Sequence, residues 1–260
     1  MVVIMKKRVG IAGSTLKMIA IISMLIDHIG AIVVERMLRS GQPALQGMGI
    51  GLDSADLYSI YIVLRLIGRL GFPIFCFLLI EGFQYTRDIK RYAGRLFLFV
   101  LVSEVPFDLG FWGRPVYAEY QNVFFTLFIG LLVMIGQREL EKKKEWNRIG
   151  CLVLDILILG AGMGAAELLK TDYGAVGVLT IAVMYLSRKR KVLSAALGCA
   201  ILTAMNLVEV SSFAILLPVH MYNGKRGWNI KWLFYVFYPV HILLLYLIAC
   251  WLGLGGIRLG

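Results

Sequence analysis

Residues 16–34 read LKMIAIISMLIDHIGAIVV, an apolar run of membrane length that carries Asp27 and His28 side by side in its second half. A helix facing lipid holds almost nothing ionisable, because an aspartate at the bilayer centre costs roughly 2.5–3.5 kcal/mol on the insertion scale. Such groups line polar cavities and do chemistry there.

Working outward from this run, the remainder of the chain declares the same solvent. With 59% hydrophobic residues in 260 and a mean hydropathy of +0.79, there is more apolar length than a water-soluble core of this size could bury. The expectation is an all-α, polytopic transmembrane bundle, a single integral membrane domain over residues 1–260, multi-pass in the cell (inner or plasma) membrane. No small-residue cleavage site follows the first run, so it is expected to remain as a span. At roughly 20 apolar residues per crossing, about nine spans fall near 15–34, 58–83, 94–110, 121–137, 149–166, 174–187, 192–208, 211–222 and 232–254. Gly71-Phe72-Pro73 interrupts the second span, which reads as two elements, and the eighth is too short to cross unassisted.

Basic residues set the expected orientation. Lys6, Lys7 and Arg8, then 87–95, 138–148, 188–191 and 225–231 fall in alternate loops, which puts these loops and the N-terminus in the cytoplasm. The opposite loops hold Asp53, Asp56, Glu119, Glu167, Asp172 and Glu209, with Arg36, Arg39, Arg114 and Lys170 as basic exceptions. Topology therefore accounts for the +11 net charge, and nucleic-acid binding is not implied. The four cysteines, Cys76, Cys151, Cys199 and Cys250, stand singly in apolar segments, so neither a disulfide framework nor a metal site is expected. There is no glycine-rich phosphate loop, Gly-x-Ser-x-Gly elbow, internal repeat or low-complexity tract. The charged run RELEKKKEWNR at 138–148 reads as a solvated loop.

One intramembrane polar residue would usually be a helix–helix hydrogen-bonding partner. Here they are many: besides Asp27 and His28 the apolar spans contain Arg65, Arg69, Glu81, Glu104, Asp108, Asp155, Asn206, His220 and His241, and Gln121 and Asn122 open the fourth span. Lys17 and His28 are eleven positions apart, three helical turns plus about 20°, so they share a face about 16 Å apart along the axis. Lys17 lies behind Ser14 and Thr15, expected N-caps, where a helix N-terminus suits phosphate. A ligand phosphorylated at one end and reactive at the end of a long thin arm fits that spacing, and acyl-coenzyme A is such a ligand. Asp27 diverges from His28 by about 100°. Counting inward along the antiparallel second span brings Arg65 and Arg69 to its level, either as ion-pair partners or as contacts to phosphate. In FYPVHILLLYLI, Tyr238 and His241 share a face at a depth comparable to His28, so the two histidines either line one cavity or His241 is a hydrogen-bonded structural residue; His28, Asp27 and His241 are the candidate catalytic residues, with Asp27 expected to serve the scaffold. Glu104 and Asp108, four apart, run toward an outer acidic vestibule that would attract an amine; solvated helix-end carboxylates are the alternative.

These residues stand in blocks whose order resembles the TraX family, named for the membrane acetylase of F-type pilin: 16–30 (LKMIAIISMLIDHIG), 65–83 (RLIGRLGFPIFCFLLIEGF), 103–111 (SEVPFDLGF), 121–130 (QNVFFTLFIG), 172–179 (DYGAVGVL), 222–227 (YNGKRG) and 234–248 (FYVFYPVHILLLYLI). The first block also resembles the start of the membrane acyltransferases that O-acetylate glycans, where an essential arginine and histidine are separated by ten residues; this chain has Lys17 in the arginine's place. A lysine keeps the charge but loses the bidentate fork. The resemblance implies transfer of an acetyl group from acetyl-coenzyme A, with no metal, to an amine-bearing acceptor (a peptide N-terminus, an amino sugar or a small amine) or a hydroxyl. On that reading His28 is the general base, or forms an acetyl-histidine. Lys17, Asn223, Lys225 and Arg226 serve the coenzyme's phosphates and Arg65 and Arg69 its positioning, while Glu104, Asp108, Gln121, Asn122 and Tyr238 line the acceptor's route. The rival reading is a proton-coupled small-molecule transporter.

Overall fold

The computed structural model describes residues 10–41, 47, 49, 51, 53–143, 146–229, 231–257 and 259. Lys6, Lys7, Arg8 and Lys144, which contribute to the expected orientation, lie outside the described residues. Among those described there is no strand; two isolated bridges, Ile11 with Tyr222 and Gln121 with Thr171, tie loops together.

The chain begins with α1 (Gly13–His28), which passes directly into a π-helical segment (Ile29–Val34) and then α2 (Glu35–Ser40). The second expected span is indeed two elements, α3 (Ser54–Gly68) and α4 (Gly71–Tyr85). Pro73 sits in the first turn of α4, where its missing N–H costs least. Then come α5 (Ile89–Trp112), α6 (Val123–Lys142), α7 (Arg148–Leu168), α8 (Gly174–Leu186) and α9 (Lys191–Met205). A 3-10 segment (Leu207–Ile215) leads into the short α10 (Leu216–Met221), and α11 (Lys231–Trp251) closes the bundle.

Among the described residues five continuous stretches, not nine, are long and apolar enough to cross a membrane: Gly13–Ser40, Ser54–Tyr85, Val123–Lys142, Arg148–Leu168 and Trp232–Trp251. The difference is physical. Helix α5 has the length, at 24 residues, but carries Lys90, Arg91, Arg95, Glu104 and Asp108. Gly174–Leu186, Lys191–Met205 and Leu207–Met221 are apolar but short; the 13 residues of α8 rise only about 20 Å against ~30 Å of hydrocarbon.

The core is built around α4, whose Phe72, Ile74, Cys76, Phe77, Leu79, Ile80 and Phe83 are buried. Leu16 and Ala20 of α1, Leu131 and Met134 of α6, and Ile181 and Met184 of α8 pack around it with no exposure. The periphery is apolar too: Leu98 and Leu101 on α5, Ile149, Val153 and Leu157 on α7, and Leu244 and Leu247 on α11 are all exposed, as expected of faces whose solvent is lipid. Helices α1 and α11 run side by side in the same direction, so residues far apart in the chain meet along one seam.

Candidate functional site

The site is organised by the way α1 ends. The N–H of Glu35 reaches back five residues to the carbonyl of Gly30, so regular α geometry gives way to π geometry immediately after His28. Such segments are rare and gather at functional positions. Asp27 and His28, adjacent and about 100° apart, are presented to two different neighbours, α3 and α11.

On the α3 side, Asp27 is gripped by two arginines. Arg65 Nη1 donates to Oδ2 at 2.6 Å and Arg69 Nη2 to Oδ1 at 3.2 Å. Arg69 Nη1 continues to Glu209 Oε1 at 2.8 Å, in the 3-10 segment, with Glu209 1% exposed. Two carboxylates thus face two guanidiniums, a balanced network at the break between α3 and α4. Glycine makes the approach possible: a Cβ at Gly68 would overlap the Asp27 carboxylate, and one at Gly30 would lie 3.1 Å from Leu64 Cβ. The carbonyls around the break find hydroxyl donors, Ser23 Oγ for Ile67 at 2.7 Å and Ser211 Oγ for Leu66 at 2.8 Å. Ser23 is one turn before Asp27 on the same face, a signal readable from the i, i+4 spacing.

On the α11 side, the rings of His28 and His241 lie edge to edge and nearly coplanar, with centroids 4.9 Å apart and planes 5° from parallel, and Nδ1 of His28 lies 2.6 Å from Nε2 of His241. His241, 4% exposed, sits 2.6 Å from the carbonyl of Phe237 through its own Nδ1. Phe111 and Tyr238 close on His28 edge-on, at 5.6 and 6.0 Å. A backbone carbonyl can only accept, so Nδ1 of His241 carries the hydrogen, and in the neutral ring Nε2 is an acceptor. His28 Nδ1 must then donate to it. The lone pair of His28 is left on Nε2, available to take a proton from a ligand.

The remaining sequence-predicted residues are distributed as follows. Lys17 lies over the ring of Phe234 at 5.6 Å, one level nearer the start of the α1–α11 seam. The α1 N-terminus is capped differently from expectation: Ala12 is the N-cap, with no side-chain bond, because the amides of Gly13 and Ser14 donate to the carbonyls of Lys225 and Arg226. The expected caps Ser14 and Thr15 are therefore inside the helix. Lys225 and Arg226 keep exposed side chains at that rim, and Arg226 donates to Asn229. Asn223 holds the loop shut, donating to the Gly10 carbonyl and accepting from the Lys225 amide.

At the opposite end, the expected acidic vestibule is a set of ties. Asn122, fully buried, caps α6 through the Phe124 amide and donates to the Val100 carbonyl and Glu104. Asp108 accepts from the Tyr117 amide at 2.7 Å, and Gln121 donates to Ala118 while its backbone bridges Thr171. Tyr238, 3% exposed, packs edge-on against Phe124 at 4.9 Å. Asp172, in the loop before α8, accepts from Tyr120 Oη at 3.1 Å. Its burial pushes the carboxyl up to about 6, against the opposing pull of Tyr120 and of the Arg69 and Arg65 charges. Among the described residues no group of His, Cys, Asp and Glu could hold a metal.

The profile of the TraX family, described as TraX protein, matches residues 12–249, from the first turn of α1 nearly to the end of α11. The chain belongs to the TraX family. It is similar to the probable fimbrial assembly protein FimC, serogroup H1, of Dichelobacter nodosus, at 29% identity over 265 residues, covering 93% of this chain and 97% of the relative. No solved structure matches it. Both the histidine pair and the Asp27 network fall inside the TraX match, so the two halves of the site belong to the shared region of the family.

Proposed function

We propose that this TraX protein is an integral membrane acetyltransferase that moves an acetyl group from cytoplasmic acetyl-coenzyme A to an amine, or a hydroxyl, within or across the membrane. The single observation that carries the reading is the hydrogen-bonded His28–His241 pair anchored on the Phe237 carbonyl, because it leaves one imidazole nitrogen fixed as a proton acceptor. In the proposed step Nε2 of His28 takes the acceptor's proton as its nitrogen attacks the thioester carbonyl. The tetrahedral adduct then expels coenzyme A thiolate, and that proton returns to the sulfur. Attack by Nε2 itself, giving an acetyl-histidine that the acceptor then cleaves, uses the same geometry. Lys17, Lys225 and Arg226 would meet the coenzyme's phosphates at the rim of the α1–α11 seam. Asp27, held by Arg65 and Arg69, keeps the end of α1 in register, and Tyr238 flanks the acceptor. Glu104, Asp108, Gln121, Asn122 and Asn223 contribute on this reading by shaping the two ends of the bundle.

The proposed orientation puts the N-terminus and the 222–227 loop in the cytoplasm of a cell whose inner membrane the protein spans, following the positive loops. The five long stretches are joined by α5, α8, α9 and the Leu207–Met221 segment as shorter or polar crossings, making nine. The name of the D. nodosus relative supports a place in fimbrial assembly and a pilin-like acceptor, whose free amino group suits the reaction.

The test is release of free thiol from acetyl-coenzyme A by purified protein in detergent with an amine acceptor. His28→Ala is expected to abolish release while leaving the melting temperature unchanged; full turnover in that variant overturns the proposal. A second reading, a proton-coupled transporter, draws on the ion network at the α3–α4 break, since discontinuous helices mark transporter sites. It predicts substrate uptake into liposomes without thiol release.

A further inference from the structure

A second candidate site lies on helices that carry neither His28 nor His241. Helices α6, α7 and α8 flank an open groove of about 230 Å³ lined by Gln137 and Glu141 from α6, Leu152 and Asp155 from α7, and Leu186 from α8. Gln137 is 2% exposed, yet neither Oε1 nor Nε2 of its amide has a partner. Asp155 is the one ionisable residue between Arg148 and Glu167 in an otherwise apolar helix, and its buried Oδ1 is also unpartnered. A buried amide with both ends unmet costs several kcal/mol in hydrocarbon. Such an arrangement persists where a ligand supplies the missing bonds.

The level of the groove identifies the kind of ligand. The apolar run of α6 ends at Gly136; Gln137, Arg138, Glu139, Glu141 and Lys142 follow, so the groove sits where the helix leaves hydrocarbon for the headgroup layer. Leu152 and Leu186 are exposed, which opens it sideways to lipid. Its acceptors, the Asp155 carboxylate and the Gln137 carbonyl, suit a group with several N–H donors and a positive charge. Glu141 is already committed to Arg188 at 2.6 Å and forms an acidic rim with its charge balanced. Arg148 lies on the same α7 face as Asp155, two turns further out, and is exposed, in place to meet a phosphate.

We propose that this groove is a headgroup site for an aminophospholipid of the phosphatidylethanolamine type, its primary ammonium on Asp155 and Gln137 and its phosphate toward Arg148. The proposal is independent of the acetyl-transfer reading. Purified protein in detergent is titrated with short-chain phosphatidylethanolamine, with phosphatidylcholine of the same chains, whose quaternary nitrogen has no N–H, and with free ethanolamine, and binding is read by native mass spectrometry and by melting temperature. The expected preference for the ethanolamine lipid over the choline lipid is about tenfold, the worth of one charge-assisted hydrogen bond. Asp155→Asn and Gln137→Leu should each erase it. Neither variant is expected to unfold the protein, because each removes an unmet buried polar group, and their lipid-free melting temperatures report that directly. Equal binding of the two lipids overturns the proposal, as does retention of the preference in both variants. Free ethanolamine acting as strongly as the lipid also overturns it.

Discussion

Replacing Arg69 with methionine should be among the most damaging single changes to stability, and its size can be worked from the ion network. Arg69 links Asp27 and Glu209, at 3.2 and 2.8 Å, and Glu209 is 1% exposed. At an effective dielectric near 20 the closer pair attracts by about 6 kcal/mol. Desolvation consumes part of that, and removing one partner of a buried pair costs about 3–5 kcal/mol because the other charge is stranded. For a chain of this size that corresponds to a fall of roughly 6–20 °C in melting temperature. Neutralising the stranded partner separates the charge effect from lost packing: Arg69→Met with Glu209→Gln should recover at least half of the loss. Arg69→Lys should recover little, since an ammonium cannot fork across two carboxylates. The assay is thermal unfolding of the detergent-solubilised protein for the wild type, both single variants and the double. A melting temperature for Arg69→Met within 2 °C of wild type, or a double variant that falls by the sum of the singles, refutes the reasoning.

Asp172 should give a pH signature. Its folded carboxyl is raised to about 6 from an ordinary 3.8, so the stability it permits is complete below the lower value and is lost as pH climbs through the upper one, by about 3 kcal/mol once ionised. Melting temperature should therefore fall between pH 4 and 6.5 more steeply in the wild type than in Asp172→Asn, and parallel curves would disprove the assignment. Asn122→Ala removes the α6 cap together with the bonds to Val100 and Glu104. A loss of about 2–4 kcal/mol, or roughly 4–16 °C by thermal unfolding, is expected, and Asn122→Ser should retain part of the cap.

Depth counting along helices of known pitch was enough to place Asp27 beside Arg65 and Arg69, and His28 at the level of His241, because both inferences depend only on rise per residue. Contacts fixed by the backbone were not legible. Nothing in IGAIVV distinguishes π from α geometry, and the partners of the α1 N-terminal amides are carbonyls more than two hundred residues away. Polar residues at helix ends were misleading in a consistent way. Gln121, Asn122 and Asn223 suggest ligand contacts by composition, whereas the fold spends them on caps and loop closure, the commoner use of such side chains. The lengths of the remaining segments were illegible for a related reason: hydropathy marks α8, α9 and Leu207–Met221 as apolar but does not reveal that each helix stops short of a full span.

The two backbone irregularities nearest the histidines bear on the same outcome. A histidine in uninterrupted α-helix lies on a face fixed by the residues before and after it. The π segment adds residues to the turn, so the face used before His28 and the face used after it differ. Before it, Ser23 and Asp27 look toward α3; after it, Ile32 is fully buried, and Arg36, also fully buried, donates to the carbonyls of Ile32 and Ile257 and lies over the ring of Tyr246 on α11. Asp27 and His28 both precede this segment and meet α3 and α11 because adjacent helical positions diverge by about 100°, so one helix satisfies an ion network on one neighbour and an imidazole pair on another. On α11, Pro239 cannot donate to the carbonyl one turn back, and it stands two residues before His241, whose Nδ1 sits on the Phe237 carbonyl. That carbonyl decides which nitrogen of His241 carries hydrogen, hence which nitrogen of His28 does. The nitrogen of His28 left without hydrogen is thus specified by a backbone oxygen four residues from His241 and on the opposite helix from His28.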